Sequence, residues 1–109
     1  SMEEIHHTEK RDAPSGTAIT LAEQIIENLG RKKIWINHQD VKQDEIAIVS
    51  QRIDPAPGTH KVKYSSAIDD IEIIHTAHSR KGFATGAVLA AEFIKGKKGI
   101  FAMKDVLGI

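Results

Sequence analysis

The feature that most constrains this chain is a proline followed at once by a helical apolar stripe. Asp12-Ala13-Pro14-Ser15-Gly16-Thr17-Ala18 leads directly into Leu21, Ala22, Ile25, Ile26 and Leu29. From Ala18 the apolar positions step by three, one, three, one and three, which is one face of an α-helix. Pro14 has no place inside a helix but is tolerated in its first turn, so the helix starts close to it, with Ser15 or Asp12 capping the free N–H groups. Gly30 closes the helix, and Arg31, Lys32 and Lys33 fall where cations favour its negative end. A helix start made of Ser-Gly-Thr presents unpaired backbone N–H groups and a partial positive charge, which is a place to hold an anion. His6, His7 and Lys10 lie just upstream. Together these residues read as a site for a negatively charged small molecule that also needs a proton.

Strand and helix signals alternate through the rest of the chain. Ile34-Trp35-Ile36 and Glu45-Ile46-Ala47-Ile48-Val49 read as short strands, separated by a polar stretch over 37–44. Asp54-Pro55-Ala56-Pro57-Gly58 is turn punctuation, because proline presets φ and glycine accepts positive φ. Further on, His60, Val62 and Tyr64 share one face of a strand, with Lys61 and Lys63 on the other. A longer strand follows from Ile71 to Ala77, whose Ile71, Ile73 and Ile74 predict burial on both sides. From Ala84 to Ile94 the chain reads as a helix that is apolar almost all round and expects partners on more than one side. The expected fold is α+β: an open mixed β-sheet with the Ala18–Leu29 helix on one face and a second apolar helix near the C-terminus. At 109 residues, one domain is expected.

Charge and composition exclude several functions. Fifteen basic and fifteen acidic side chains balance, so no global field draws in nucleic acid or an anionic membrane. One Trp, one Tyr and three Phe are too few to make base stacking a theme. No apolar run approaches a membrane span. The absence of cysteine removes disulfides and thiolate metal sites, and is compatible with the cytoplasmic location expected here. No metal site is expected either. His75 and His78 would point to opposite faces of a strand, and no carboxylate pairs with His6 or His7 at a recognised ligand spacing.

The run His6-His7-x-x-Lys10-x-Asp12-Ala13-Pro14-Ser15-Gly16-Thr17-Ala18 resembles the signature of the dihydrodipicolinate reductase family. The resemblance continues through Pro57-Gly58-Thr59-His60-Lys61-Val62 and 70–80, then Gly82-Phe83-Ala84-Thr85-Gly86-Ala87-Val88, and ends in Asp105-Val106-Leu107-Gly108. It implies an NAD(P)H-dependent oxidoreductase that reduces an unsaturated cyclic dicarboxylate to tetrahydrodipicolinate, on the route to diaminopimelate and lysine. By motif position, it implies His6 and Lys10 as the catalytic acid groups and His7, Gly16 and Thr17 as substrate contacts. An imidazole that titrates near pH 6.5 suits proton delivery at neutral pH, and Lys10 can give a proton or stabilise developing negative charge.

Family members begin with a nucleotide-binding domain carrying a glycine-rich turn. Here no Gly-x-Gly-x-x-Gly follows a predicted strand, and Ser1-Met2 reads as a cloning remnant joined to an internal fragment. The chain is therefore expected to be the substrate-binding and oligomerisation domain over 1–109. It would have no cofactor-binding residues of its own, with 84–109 packing on the absent cofactor domain and NADH or NADPH held there. The resemblance further implies a homotetramer built through this domain's sheets. The stretch Arg52-Ile53-Asp54-Pro55-Ala56 departs from the family, many members having a glycine near Asp54, so the shape of this loop is not carried over. Two alternatives are an assembly module and a small-anion-binding domain without chemistry. Calorimetry with a dicarboxylate separates the second of these, and the substrate domain, from simple assembly.

Overall fold

The computed structural model describes residues 1–109. In chain order the elements are β1 (Met2–His6), α1 (Gly16–Leu29), β2 (Ile34–Ile36), β3 (Glu45–Arg52), β4 (Thr59–Ser65), β5 (Asp70–Thr76), α2 (Lys81–Ile94) and α3 (Met103–Leu107). They fall into two compact units, residues 1–78 and 79–109.

The first unit is a five-stranded open sheet in the order β2-β3-β1-β4-β5. β1 runs parallel to β3 and antiparallel to β4, so the sheet is mixed and β1 is its centre. Met2, Glu4 and His6 are buried on one face of β1, while Glu3 and Ile5 on the other are half-buried. Residues paired directly across strands share a face. Ile48, Ser50 and Arg52 of β3, together with Val62 and His60 of β4, therefore lie on the side of Met2, Glu4 and His6. Helix α1 covers that side. Ala18 and Ala22 are its fully buried residues, packed with Met2, Ile46, Ile48 and Val62, with Leu21, Ile25 and Ile26 around them. Small alanines at the closest approach let the helix lie down on the strands, and the larger residues fill the margins.

The helix begins as its sequence requires, with one adjustment. Ser15 is the N-cap, and its Oγ accepts from Ala18 N at 3.2 Å. Pro14 lies one residue before the cap rather than in the first turn, and it is buried. Gly30 ends α1 with φ of 52°. The cation Lys32, expected at the dipole, instead donates to the carbonyls of Gln43 and Glu45 at 2.6 and 2.8 Å, where the chain enters β3.

β1 was not foreseen as an element, and Met2, expected as a remnant, is a core residue only 3% exposed. The β4 alternation is as expected. Val62 is buried and Tyr64 packs on the core, while Lys61 pairs with Glu72 at 2.8 Å and Lys63 with Asp70 at 2.7 Å on the opposite face. For β5, burial on both sides is overturned. It is an edge strand paired only to β4, and every one of its residues is exposed, Ile71, Ile73 and Ile74 included. One helix cannot reach across five strands, so α1 stops short of it.

In the second unit, α2 begins at Lys81, three residues earlier than its apolar run, and buries no residue. Phe93 meets Phe101 edge to face at 5.4 Å, and Lys97 Nζ lies 3.6 Å from the centre of the Phe93 ring. Ala102 has no side-chain acceptor to cap α3, so the Asp105 carboxylate reaches back and accepts from Ala102 N at 2.7 Å. Phe83, Val88, Leu89, Ile94 and Leu107 remain exposed.

Ser15 carries a cap and touches the cluster described below. Ser15→Ala is expected to lower the stability of this chain by about 1–2 kcal/mol, the usual scale for a lost cap. Urea unfolding followed by circular dichroism measures it, and an unchanged midpoint would show that α1 does not depend on its cap.

Candidate active site

Every residue of the candidate site sits on the α1 side of the sheet or on the loop that joins β1 to α1. His6 is the last residue of β1, and its backbone carbonyl accepts from Ile53 N at 2.8 Å, which continues the β1–β3 ladder beyond Arg52. His7 and Lys10 follow on the loop, both half-buried, with a turn closed by Lys10 N donating to His7 O at 3.2 Å. Gly16 and Thr17 are the first two residues of α1, and both are exposed. The cap serves Ala18 N–H, which leaves the N–H groups of Gly16 and Thr17 as first-turn donors without an intrahelical partner. A Cβ built on Gly16 would meet nothing within 4 Å, so space around this position belongs to solvent or a ligand.

At the centre is Glu4, which is completely buried. Both of its carboxylate oxygens accept from Ser15 N at 3.1 Å. Its Oε2 also lies 3.5 Å from His6 Nε2 and 3.7 Å from His60 Nε2, and its Oε1 lies 3.4 Å from Arg52 Nη2. Register explains the convergence, since Glu4 pairs with Ser50 on one side and His60 on the other while His6 pairs with Arg52. His60 Nε2 is also 3.2 Å from Ser15 Oγ, and the two imidazole rings meet edge to face at 5.1 Å. Gly58, with φ of 151°, lies against the other edge of His6. A Cβ there would stand 3.3 Å from Cε1 and 3.4 Å from Nδ1.

These contacts set the proton affinities. Burial alone would push Glu4 up, but hydrogen bonds from Ser15 and Ser50 and the nearby His6 hold it below the usual carboxylate value. Burial pushes the His6 imidazole down, opposed by Glu4 and reinforced by Lys10, Arg52 and His7. His60 is lowered by burial first and then by His6, against the pull of Glu4, with His75 and Lys10 adding smaller terms of the same sign. His6 Nε2 is buried and has no hydrogen-bond partner, although a carboxylate oxygen faces it. The cluster is thus a buried carboxylate shared by two imidazoles.

Glu4, His6 and His60 bring three donor atoms within 4.8 Å of one another. The sequence pattern had shown no carboxylate partner for His6, because the partner lies two residues back on the same strand face. A divalent cation among them would compete with partners already in place. Ser15 N–H occupies both carboxylate oxygens, and a cation there would face the Arg52 guanidinium. Lys10 has a different partner: its Nζ pairs with Asp12 Oδ1 at 2.9 Å. Asp54 ties the same loop to the β3–β4 turn, accepting from Thr8 N at 2.9 Å and from Thr8 Oγ1. That pair gives Asp54 a structural use in the stretch whose shape the sequence left open. Sequence reasoning missed Glu4, Arg52 and His60 as parts of the site. The i, i+2 spacing of Glu4 and His6 was their one local signal.

The fold and this cluster define an α+β domain that buries an acid–base group under the start of a helix. Residues 1–107 match the family model described as dihydrodipicolinate reductase, C-terminus, and the chain belongs to that family. It is 58% identical over 106 residues to the 4-hydroxy-tetrahydrodipicolinate reductase of Christiangramia forsetii, covering 97% of this chain and 44% of that protein. Against the protein of the same name from Aquifex aeolicus it is 44% identical over 110 residues, covering 97% and 42%. The chain therefore spans less than half the length of these curated relatives. Its fold is also that of a solved structure, dipicolinate-bound dihydrodipicolinate reductase from Paenisporosarcina sp. TG-14, with a TM-score of 0.65 at 24% identity over 92% of this chain and 41% of that one.

The pKa shifts set a pH dependence of stability. His6 and His60 both lie below the ordinary imidazole value of 6.5, so as pH falls through that value the unfolded chain takes up protons before the folded one and stability drops. Glu4, held below 4.5, adds a further loss as pH falls beneath that value. The urea midpoint is expected to decline from about pH 6.5 downward, and in a His6→Gln/His60→Gln chain the decline begins only in the carboxylate range. A wild-type midpoint that holds constant down to about pH 5 would contradict these shifts.

Proposed function

We propose that this chain supplies the substrate-binding and proton-donating part of a 4-hydroxy-tetrahydrodipicolinate reductase. That enzyme reduces a cyclic unsaturated dicarboxylate with NADH or NADPH to tetrahydrodipicolinate, in diaminopimelate and lysine biosynthesis in the cytoplasm. The observation that carries the reading is the meeting of two functions where β1 leads into α1. Acid groups on His6 and Lys10 are held in place by Glu4 and Arg52, next to exposed, unpaired N–H groups at a helix start. The names of the relatives, and the dipicolinate named with the solved structure, support the same substrate class.

The chemistry of this chain's own residues follows. A substrate carboxylate accepts from Gly16 N–H and Thr17 N–H, favoured by the positive end of α1, and glycine lets it approach closely. His7, on the same loop, is a further contact. Reduction of the conjugated system places negative charge on the ring and requires one proton. His6 delivers it, with its buried Nε2 edge turned to Glu4 and its Nδ1 edge on the Gly58 side. Lys10 stabilises the charge as it develops or gives the proton itself. The turn into α1 is Pro14-Ser15-Gly16, with the Ser15 hydroxyl folded in against Ala18 N–H. The reading assigns the nucleotide to the part of the relatives that this chain does not span, with 84–109, through its exposed apolar side chains, as the segment suited to pack there.

In the full-length reductase, His6→Ala or Lys10→Ala is expected to lower kcat by about a hundredfold, the scale for a lost general acid. Steady-state kinetics with a folding check by circular dichroism tests each role, and near-normal kcat in either variant removes that residue from the chemistry.

Assembly forms the second part of the proposal, a homotetramer joined through the sheets. α1 is the one helix of residues 1–78 and covers one face, so Ile5, Val49 and Ile74 on the other have no helix over them. β5 adds an unpaired edge. Sedimentation equilibrium across a wide concentration range is expected to show a tetramer of this chain, and a clean monomer would end the assembly reading.

A further inference from the structure

The loop over 7–12 carries Lys10 but has little structure of its own, one turn apart. Arg52 holds it from outside. As the last residue of β3, Arg52 lies directly across the parallel ladder from His6, and its side chain is four-fifths buried. Its Nε donates to Lys10 O at 3.1 Å and its Nη2 donates to Asp12 O, the two residues whose side chains form the Lys10–Asp12 ion pair. Nη1 donates to Gln51 O at 2.8 Å, and Nη2 also faces Glu4 Oε1 at 3.4 Å. One planar guanidinium thus bridges the backbone on both sides of Arg11 to the buried carboxylate that faces His6.

We propose that Arg52 is a positioning residue for Lys10: its fork fixes the Lys10–Asp12 backbone against Glu4 and so sets where the Lys10 ammonium stands relative to His6. A lysine in its place would keep the charge opposite Glu4. It would lose the fixed set of donors that spans two carbonyls and a carboxylate. The proposal rests on the reading of Lys10 as a proton-donating or charge-stabilising group. Such a group acts only from the correct position, and a misplacement of about 1 Å can cost on the order of a hundredfold in rate.

A double-mutant cycle in the full-length reductase tests it, with kcat and KM measured for R52K, R52M, K10A, K10A/R52K and K10A/R52M. If Arg52 acts through Lys10, R52K and R52M each lower kcat at least about tenfold with KM within about threefold, and cost less than about twofold once Lys10 is gone. Retained charge with lost activity in R52K separates positioning from a mere counter-charge for Glu4. If R52M does not fold, the R52K arm carries the same comparison. Undiminished kcat in R52K overturns the proposal, and so does a full additional loss on top of a damaged K10A. Normal kcat in K10A alone overturns the Lys10 reading and this proposal with it. That outcome is distinct from an additive cycle, which overturns only the positioning role.

Discussion

The structure of residues 1–78 turns on a single carboxylate placed where none would be expected. Glu4 lies at the centre of the sheet, beneath the start of α1, with no exposed surface. A lone charge there would be prohibitively costly to desolvate, and the chain around it is arranged to prevent that. Ser15 N–H binds both oxygens, Arg52 stands opposite one, and two imidazoles share the other. Each of these partners belongs to a different segment, so the carboxylate is also what fixes the helix start, the end of β3 and the start of β4 relative to β1. Removing one member of a buried pair typically costs about 3–5 kcal/mol, more than most single core contacts.

The same arrangement gives His6 its character. Two imidazoles whose rings meet at 5.1 Å do not hold two protons comfortably in a buried setting, and one shared carboxylate neutralises one. Burial holds both imidazoles below their ordinary value against the pull of that carboxylate, and Lys10 adds to the effect on each. His60 is reached from the far side by an open groove of about 460 Å³ lined by Leu21, Ile25, Val62, Tyr64, Ile73 and His75. The cluster thus borders solvent-accessible space on its β5 flank as well.

Apolar surface is distributed unevenly. The core proper is small, built on Met2, Ala18, Ala22, Ile46, Ile48 and Val62, while Ile71, Ile73, Phe83, Val88 and Leu89 stay exposed. The exposed group is concentrated on the edge strand and on α2, the two elements whose sequences read as most thoroughly apolar.

The elements that follow from local rules were legible in the sequence. The extent of α1 comes from a cap, a stripe and a terminal glycine, and the strands β2, β3 and β4 from short β-branched or alternating runs. The motif from His6 to Ala18 put His6, His7 and Lys10 just upstream of the helix start and Gly16 and Thr17 in its first turn, which is where they lie. β1 was not legible, since its inward positions are Met2, Glu4 and His6 and its one aliphatic β-branched residue, Ile5, faces the other way. A buried polar cluster inverts the alternation by which a strand announces its core face. Nor could the sequence pair Glu4 with His60 and Arg52, which lie 56 and 48 residues away. The sequence by itself determined which residues begin and line the helix, because capping and periodicity act over a few residues. Tertiary structure alone decided what holds those residues in place, because strand register is set by the whole sheet.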